Sequence, residues 1–183
     1  MLAYSSVEHM GILVLGMGIG AGGVFASLLH VINHSLAKGM LFLTAGNIFN
    51  TVKTKSTVKV RGLAQSLPIS AALWIVGFLA ISGFPPFNIF VSEWLTLKAA
   101  IEQKHFLTAG LFVVFIGLVF VGMSAIVLRM VYGETSHEVK GVKEAPLSIL
   151  PPMVLGVLVF LLGLWIPPPL STILKEAAAM LGG

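Results

Sequence analysis

Residues 67–103 read LPISAALWIVGFLAISGFPPFNIFVSEWLTLKAAIEQ. The run is apolar enough for a bilayer but too long for one straight span, which takes roughly 17–25 residues. Ser82-Gly83-Phe84-Pro85-Pro86 interrupts it. Two prolines remove two backbone donors, and the residue before a proline is pushed out of the α region. The stretch predicts two half-helices, 67–82 and 87–103, joined by unwound backbone. At membrane depth such backbone survives only where protein or a wet cavity surrounds it. Functional sites gather at such breaks.

Composition points the same way. Of 183 residues, 57% are hydrophobic and 10% charged, with a mean hydropathy of +1.00. A soluble domain carries about a quarter charged residues, so this chain lacks the polar surface that water requires. The expected class is an all-α integral membrane protein, one membrane domain over 1–183. Further apolar runs at 4–19, 24–49, 106–132 and 149–166 bring the span count to about five. Ser5 or Ser6 is the expected N-cap of the first helix, and the glycine cluster from Gly16 to Gly23 closes it. After Pro167-Pro168-Pro169, residues 170–181 predict an interfacial tail helix.

The chain has no cysteine and no aspartate. That excludes thiolate-held iron–sulfur clusters, disulfides and zinc–thiolate sites, and many hydrolase schemes. The net charge of +4 does not imply nucleic acid, because the basic residues sit in short loops between apolar runs. Lys53, Lys55, Lys59 and Arg61 fall in one connection, and Arg129, Lys140 and Lys143 in another on the same side. Lys104 and Lys175 fall on the other side. The positive-inside rule then places the N-terminus in the cytoplasm and the C-terminus outside. The N-terminus shows no basic region followed by an apolar stretch and a small-residue cleavage site, so no signal peptide is expected.

Ionisable groups inside apolar helices are costly, about 2.5–3.5 kcal/mol each on insertion scales. The second helix carries His30, His34 and Lys38. Steps of four residues turn a helix by about 400°, so the three share one face over about 12 Å. Histidine titrates near neutrality, and with trapped water the stripe could hand protons along. The competing reading is structural: histidines that bond neighbouring helices, and a lysine that snorkels to the interface. Lys38 lies about 18 Å from the helix end, too far for easy snorkelling.

Glu93 follows the break by about two turns and is the only acid between Glu8 and Glu102. A buried carboxylate should be paired or protonated, so Glu93 is read as a proton-transfer group or as a salt-bridge partner, Lys38 being one candidate partner. Lys98 is read as an interface anchor. Glu8 and His9 sit near the cytoplasmic end of helix one and are candidate points of proton uptake. Two patterns are set aside. Gly18, Gly20 and Gly23 satisfy G-x-G-x-x-G without the strand and acid of a dinucleotide site. Asn33-His34-Ser35 fits a glycosylation pattern inside a membrane helix.

Three runs together resemble a known family. They are Leu2-Ala-Tyr-Ser-Ser-Val-Glu-His-Met-Gly11, His30-Val-Ile-Asn-His34-Ser-Leu-Ala-Lys38-Gly-Met-Leu-Phe and Gly83-Phe-Pro-Pro-Phe-Asn-Ile-Phe-Val-Ser-Glu93. They are similar to the antiporter-like subunits of respiratory complex I, of multisubunit cation/proton antiporters and of membrane-bound hydrogenases. The first run is nearest in wording to formate-hydrogenlyase-type subunits. The resemblance implies a larger fold built of two inverted repeats, each with a broken helix, this chain covering most of the second. It implies that Lys38, His30, His34 and Glu93 translocate protons in the half-channel leading outside, with Gly83, Pro85 and Pro86 forming the break.

The first repeat is missing from this sequence, so either the chain is a fragment or another chain supplies the missing N-terminal half. The partners implied are that half, the other membrane subunits and the lipid bilayer, with no nucleic acid. No cofactor, metal or catalytic residue is expected. The chain would be the membrane component of an NADH-dehydrogenase-like or hydrogenase-type oxidoreductase complex, carrying no redox site itself. The expected function is proton (or sodium) translocation in the cell membrane of a prokaryote. The alternatives are a stand-alone cation/proton antiporter subunit and a non-conducting scaffold.

Overall fold

The computed structural model describes residues 2–20, 22–134 and 143–182. Among them the regular structure is all helix, with no strand: α1 Leu2–Ile19, α2 Gly22–Val52, α3 Leu63–Ser66, α4 Pro68–Ile81, α5 Asn88–Glu102, α6 Phe106–Tyr132, α7 Pro146–Leu164 and α8 Pro168–Met180. Lys140, which entered the charge count above, lies outside the described residues. Three helices are long and apolar enough to cross a membrane: α1, α6 and α7.

Helix α2 is the longest, yet it fails that apolarity test for a physical reason. It is the axis of the bundle, in contact with α1, α4, α5, α7 and α8. A helix wrapped by other helices need not present an apolar surface to lipid, so it can carry histidine, asparagine and lysine at its middle. Helix α6 is the opposite case. Leu107, Val113, Val114, Phe115, Leu118 and Val121 are all exposed, as suits a helix at the rim of a membrane bundle.

Backbones approach closely where glycine allows it. Gly20 turns the chain between α1 and α2 with φ of 75°. Behind that turn, a Cβ on Gly16 would overlap Ser27 Oγ and lie 2.9 Å from the Gly23 carbonyl oxygen. Ser27 Oγ uses this proximity to donate to the Leu13 carbonyl at 2.9 Å. On the far side of α2, Gly156 of α7 faces Met40 and Gly39 faces Leu155. Small residues at helix crossings serve membrane packing in general. Ser5 and Ser6 lie inside α1, not at its start, and both donate to the Leu2 carbonyl. Neither serine is the N-cap expected of it: the helix already includes Leu2, and these hydroxyls bond back along it.

Helix α4 is capped across the chain. Glu144, which precedes α7, accepts from the backbone N–H of Ile69 at 2.7 Å and of Ser70 at 2.9 Å, and from the Ser70 hydroxyl. A carboxylate there satisfies orphan donors of the first turn and meets the positive end of the helix dipole.

Two measurements check this account. Glu144→Ala should cost about 1–2 kcal/mol, the scale of a lost helix cap, read as a lower unfolding midpoint in detergent. Gly23→Ala should destabilise by about 1–3 kcal/mol through overpacking, because its Cβ would overlap the Gly16 carbonyl. Gly11→Ala, which meets nothing within 4 Å, should be neutral or mildly stabilising.

Candidate functional site

The break is where α4 ends and α5 begins. Ser82 to Phe87 leave the helix, with Gly83 at φ 64°. That left-handed turn requires glycine sterically, and a second constraint applies at the same atom. A Cβ on Gly83 would overlap the carboxylate of Glu93, so the turn is the floor on which that carboxylate rests. Helix α7 closes the outer side. A Cβ on Gly163 would overlap the Pro86 carbonyl and press on Phe87 and Asn88.

From α2, His30, His34 and Lys38 all point into the bundle and are buried. Lys38 is at the helix middle and only 6% exposed, so it does not snorkel. Its ammonium donates to Ser5 Oγ at 2.7 Å and to the Leu2 carbonyl, both in the first turn of α1, and lies 5.8 Å from the Phe42 ring centroid. Glu93 is also 6% exposed, but it makes no ion pair with Lys38. Among the described residues the one ion pair is Lys98–Glu102, 3.7 Å apart on the surface of α5. The salt-bridge reading of Lys38 with Glu93 is therefore corrected.

His9 changes role most. It lies in the middle of α1 and is 1% exposed, not at a helix end. Its Nδ1 is 2.9 Å from His30 Nε2, and its ring centroid is 4.6 Å from that of His34. His9 thus joins the stripe from the neighbouring helix and bridges the two α2 histidines. Its Nε2 is buried without a hydrogen-bond partner among the described residues. Glu8 turns the other way, half-buried, onto a 340 Å³ cavity between α1 and α6 that Phe112 and Phe115 also line. The pair named together from the sequence is split between two environments.

Helix α5 completes the site. His30 Nδ1 is 2.9 Å from Ser92 Oγ. Asn33 Nδ2 donates to the Asn88 carbonyl at 2.7 Å and to Ser92 Oγ at 3.3 Å, while Asn88 Nδ2 donates to the Asn33 carbonyl at 3.3 Å. This reciprocal asparagine clasp fastens the first residue of α5 to the middle of α2. Asn88 and Ser92 were not singled out from the sequence, and Ser5 and Asn33 were noted there only as an N-cap candidate and as part of a glycosylation pattern, not as site residues. The available signal was positional: Ser92 precedes Glu93, Asn33 precedes His34, and Asn88 opens the half-helix after the break.

A buried polar seam results: His9, His30 and Ser92 are linked in sequence by 2.9 Å contacts, the His34 ring lies against that of His9 with Lys38 one turn further along α2, and Glu93 follows Ser92 in α5. Several of its buried atoms lack protein partners: His9 Nε2, His34 Nδ1, Asn33 Oδ1, Asn88 Oδ1 and Ser82 Oγ. Buried polar atoms are bonded in stable proteins, by water where protein does not serve. The arrangement therefore suits a hydrated seam that binds and passes protons. Among the described residues no cluster is placed to hold a metal ion.

Comparison with known proteins places this geometry in a family context. The chain is 36% identical to the hydrogenase-4 component F homolog of Methylacidiphilum infernorum, over 92% of its own length and 35% of that protein. A chain of respiratory complex I from Thermus thermophilus superposes with a TM-score of 0.79 at 30% identity, covering 100% of this chain and 39% of that one. A chain of the Mrp complex from Dietzia superposes with a TM-score of 0.82 at 20% identity, covering 98% and 41%. This chain thus spans about a third of the curated relative's length. The sequence pattern of the NADH:quinone oxidoreductase/Mrp antiporter transmembrane family matches residues 1–120. The chain is a multi-pass membrane protein that belongs to the NADH:quinone oxidoreductase/Mrp antiporter transmembrane family.

Proposed function

We propose that the chain is a proton-translocating module of a larger, redox-driven membrane complex. Lys38 and Glu93 hold and exchange protons, and His34, His9, His30 and Ser92 connect them with water. The observation that carries the reading is the seam itself. Ionisable groups from α1, α2 and α5 are buried together beside an interrupted helix, although each is costly to insert in a membrane. The ligand set favours protons over sodium. Imidazoles titrate near neutrality, and a lysine ammonium would repel an alkali cation.

In this reading the charged form of Lys38 is held by Ser5 Oγ and the Leu2 carbonyl, two oxygens that stabilise an ammonium. A proton leaving Lys38 passes to the histidines on α2 and α1. It reaches Glu93 through the wet zone that the 82–87 break opens between α4 and α5. Electron transfer elsewhere in the complex would bias which site is occupied by altering the field along the seam. The similarity to a hydrogenase component and to a complex I chain supports a redox-driven complex as the setting, with other membrane subunits as partners.

The five-span arrangement follows if α2 crosses as the inner helix and α4 with α5 cross as one interrupted span, alongside α1, α6 and α7. It corresponds to most of one inverted repeat of the larger fold. Helix α8, with Leu174 and Ala178 buried, lies against α2 as an interfacial element. The N-terminus is cytoplasmic and the C-terminus outside, in a prokaryotic plasma membrane.

Two experiments test the proposal. In the assembled complex reconstituted into liposomes, Lys38→Ala and Glu93→Gln should each lower proton uptake on the order of 10²-fold, the lower range for a positioned proton-transfer group, with assembly intact. Lys38→Arg, which keeps the charge but cannot release its proton, should behave like Lys38→Ala. Full uptake in both Lys38→Ala and Glu93→Gln refutes the assignment. For topology, the chain has no cysteine, so single substitutions report cleanly. Lys55→Cys should react with an impermeant maleimide from the cytoplasmic face and Lys104→Cys from the opposite face; the reverse pattern overturns the orientation.

A further inference from the structure

The hydrogen bonds around Ser92 constrain where protons sit on the histidines. Ser92 Oγ lies 2.9 Å from the Ile89 carbonyl, which can only accept, so the single hydroxyl proton of Ser92 points there. The same Oγ receives an N–H of Asn33. Toward His30 it can then act only as an acceptor, and His30 Nδ1, 2.9 Å away, carries the hydrogen. A neutral imidazole has one N–H, so His30 Nε2 is bare. His9 Nδ1, 2.9 Å from that nitrogen, must donate to it, which leaves His9 Nε2 bare in turn. That nitrogen is buried and has no hydrogen-bond partner among the described residues.

We infer that Ser92 is a positioning residue that fixes His30, and through it His9, as Nδ1–H tautomers, making His9 Nε2 the atom at which a proton joins the histidine pair. The inference rests on the relay reading above and assigns it an order. A proton taken up at His9 Nε2 forms the second N–H of an imidazolium. His9 then gives its Nδ1 proton to His30 Nε2. His9 is left neutral with its hydrogen on Nε2, and His30 becomes the imidazolium, bonded to His9 Nδ1 and Ser92 Oγ. One N–H bond forms as one breaks, and the charge passes from α1 to α2. The charged or titratable groups around His9 are Glu8 on its own helix, His30, His34 and Lys38 on α2, and Glu93 on α5. Helix α4 has no titratable side chain.

The test is nitrogen NMR on the full chain with ¹⁵N-labelled histidine in nanodiscs, at a pH where the imidazoles are neutral, with resonances assigned by single His→Gln variants. His9 and His30 should both show a protonated Nδ1 and a bare Nε2. Ser92→Ala should move the His30 hydrogen to Nε2 and force the same change on His9, whereas Ser92→Thr, which keeps the hydroxyl, should preserve the original pattern. Should Ser92→Ala not fold, the unaltered chain and the threonine variant still decide. Nε2–H on His30 or His9 in the unaltered chain overturns the inference, as does a Ser92→Ala spectrum identical to the original. This readout is independent of flux. A chain with the expected tautomers that fails the Lys38 and Glu93 transport test sinks the relay and leaves the tautomer assignment standing.

Discussion

The structure depends on enclosing a polar stretch of helix in an apolar bundle. Histidine, asparagine and lysine at the middle of α2 cannot face lipid tails, because the hydrocarbon core offers no hydrogen bonds and a low dielectric. Every neighbour of α2 can be understood as a response. Helix α1 supplies Ser5 and the Leu2 carbonyl to Lys38, and His9 to the histidines. Helix α5 supplies Ser92 and Asn88 to His30 and Asn33. Helix α7 has no charged residue and covers α2 through close glycine contacts with Met40 and Leu155. The seam is therefore both the candidate machinery and the reason the helices are arranged around one axis.

Much of this was legible along the chain because it is local. The prolines and glycine between Ser82 and Pro86 mark an interruption wherever the helix lies, since they act on their own backbone. The spacing of His30, His34 and Lys38 fixes a shared face by helix geometry alone. The site beyond these residues was not legible, and the reason is equally physical. His9 meets His30 across 21 positions and Ser92 meets His30 across 62, and no periodicity reports such pairings. Read by its position in the chain, His9 looked terminal; the α1–α2 crossing, tightened by Gly16 and Gly23, carries it into the centre.

The treatment of Glu93 and Lys38 is instructive in the same way. A lone acid and a lone base in apolar helices invite the simplest pairing, yet the structure gives each a separate polar environment. Lys38 is held by oxygens of α1, and Glu93 rests against backbone at the break. Opposite charges locked together would be a stable endpoint. Under the proposed relay, groups held apart are free to change protonation state separately.

Gly163 gives the interruption a mechanical meaning. At that position α7 has no side chain, and the Pro86 carbonyl and the start of α5 fill the space. The gap between α4 and α5 is thus splinted by a helix without charged residues. It cannot widen to admit more solvent unless that helix slides or tilts away. The width of that gap is therefore tied to the placement of a neighbouring helix that has no acid or base of its own.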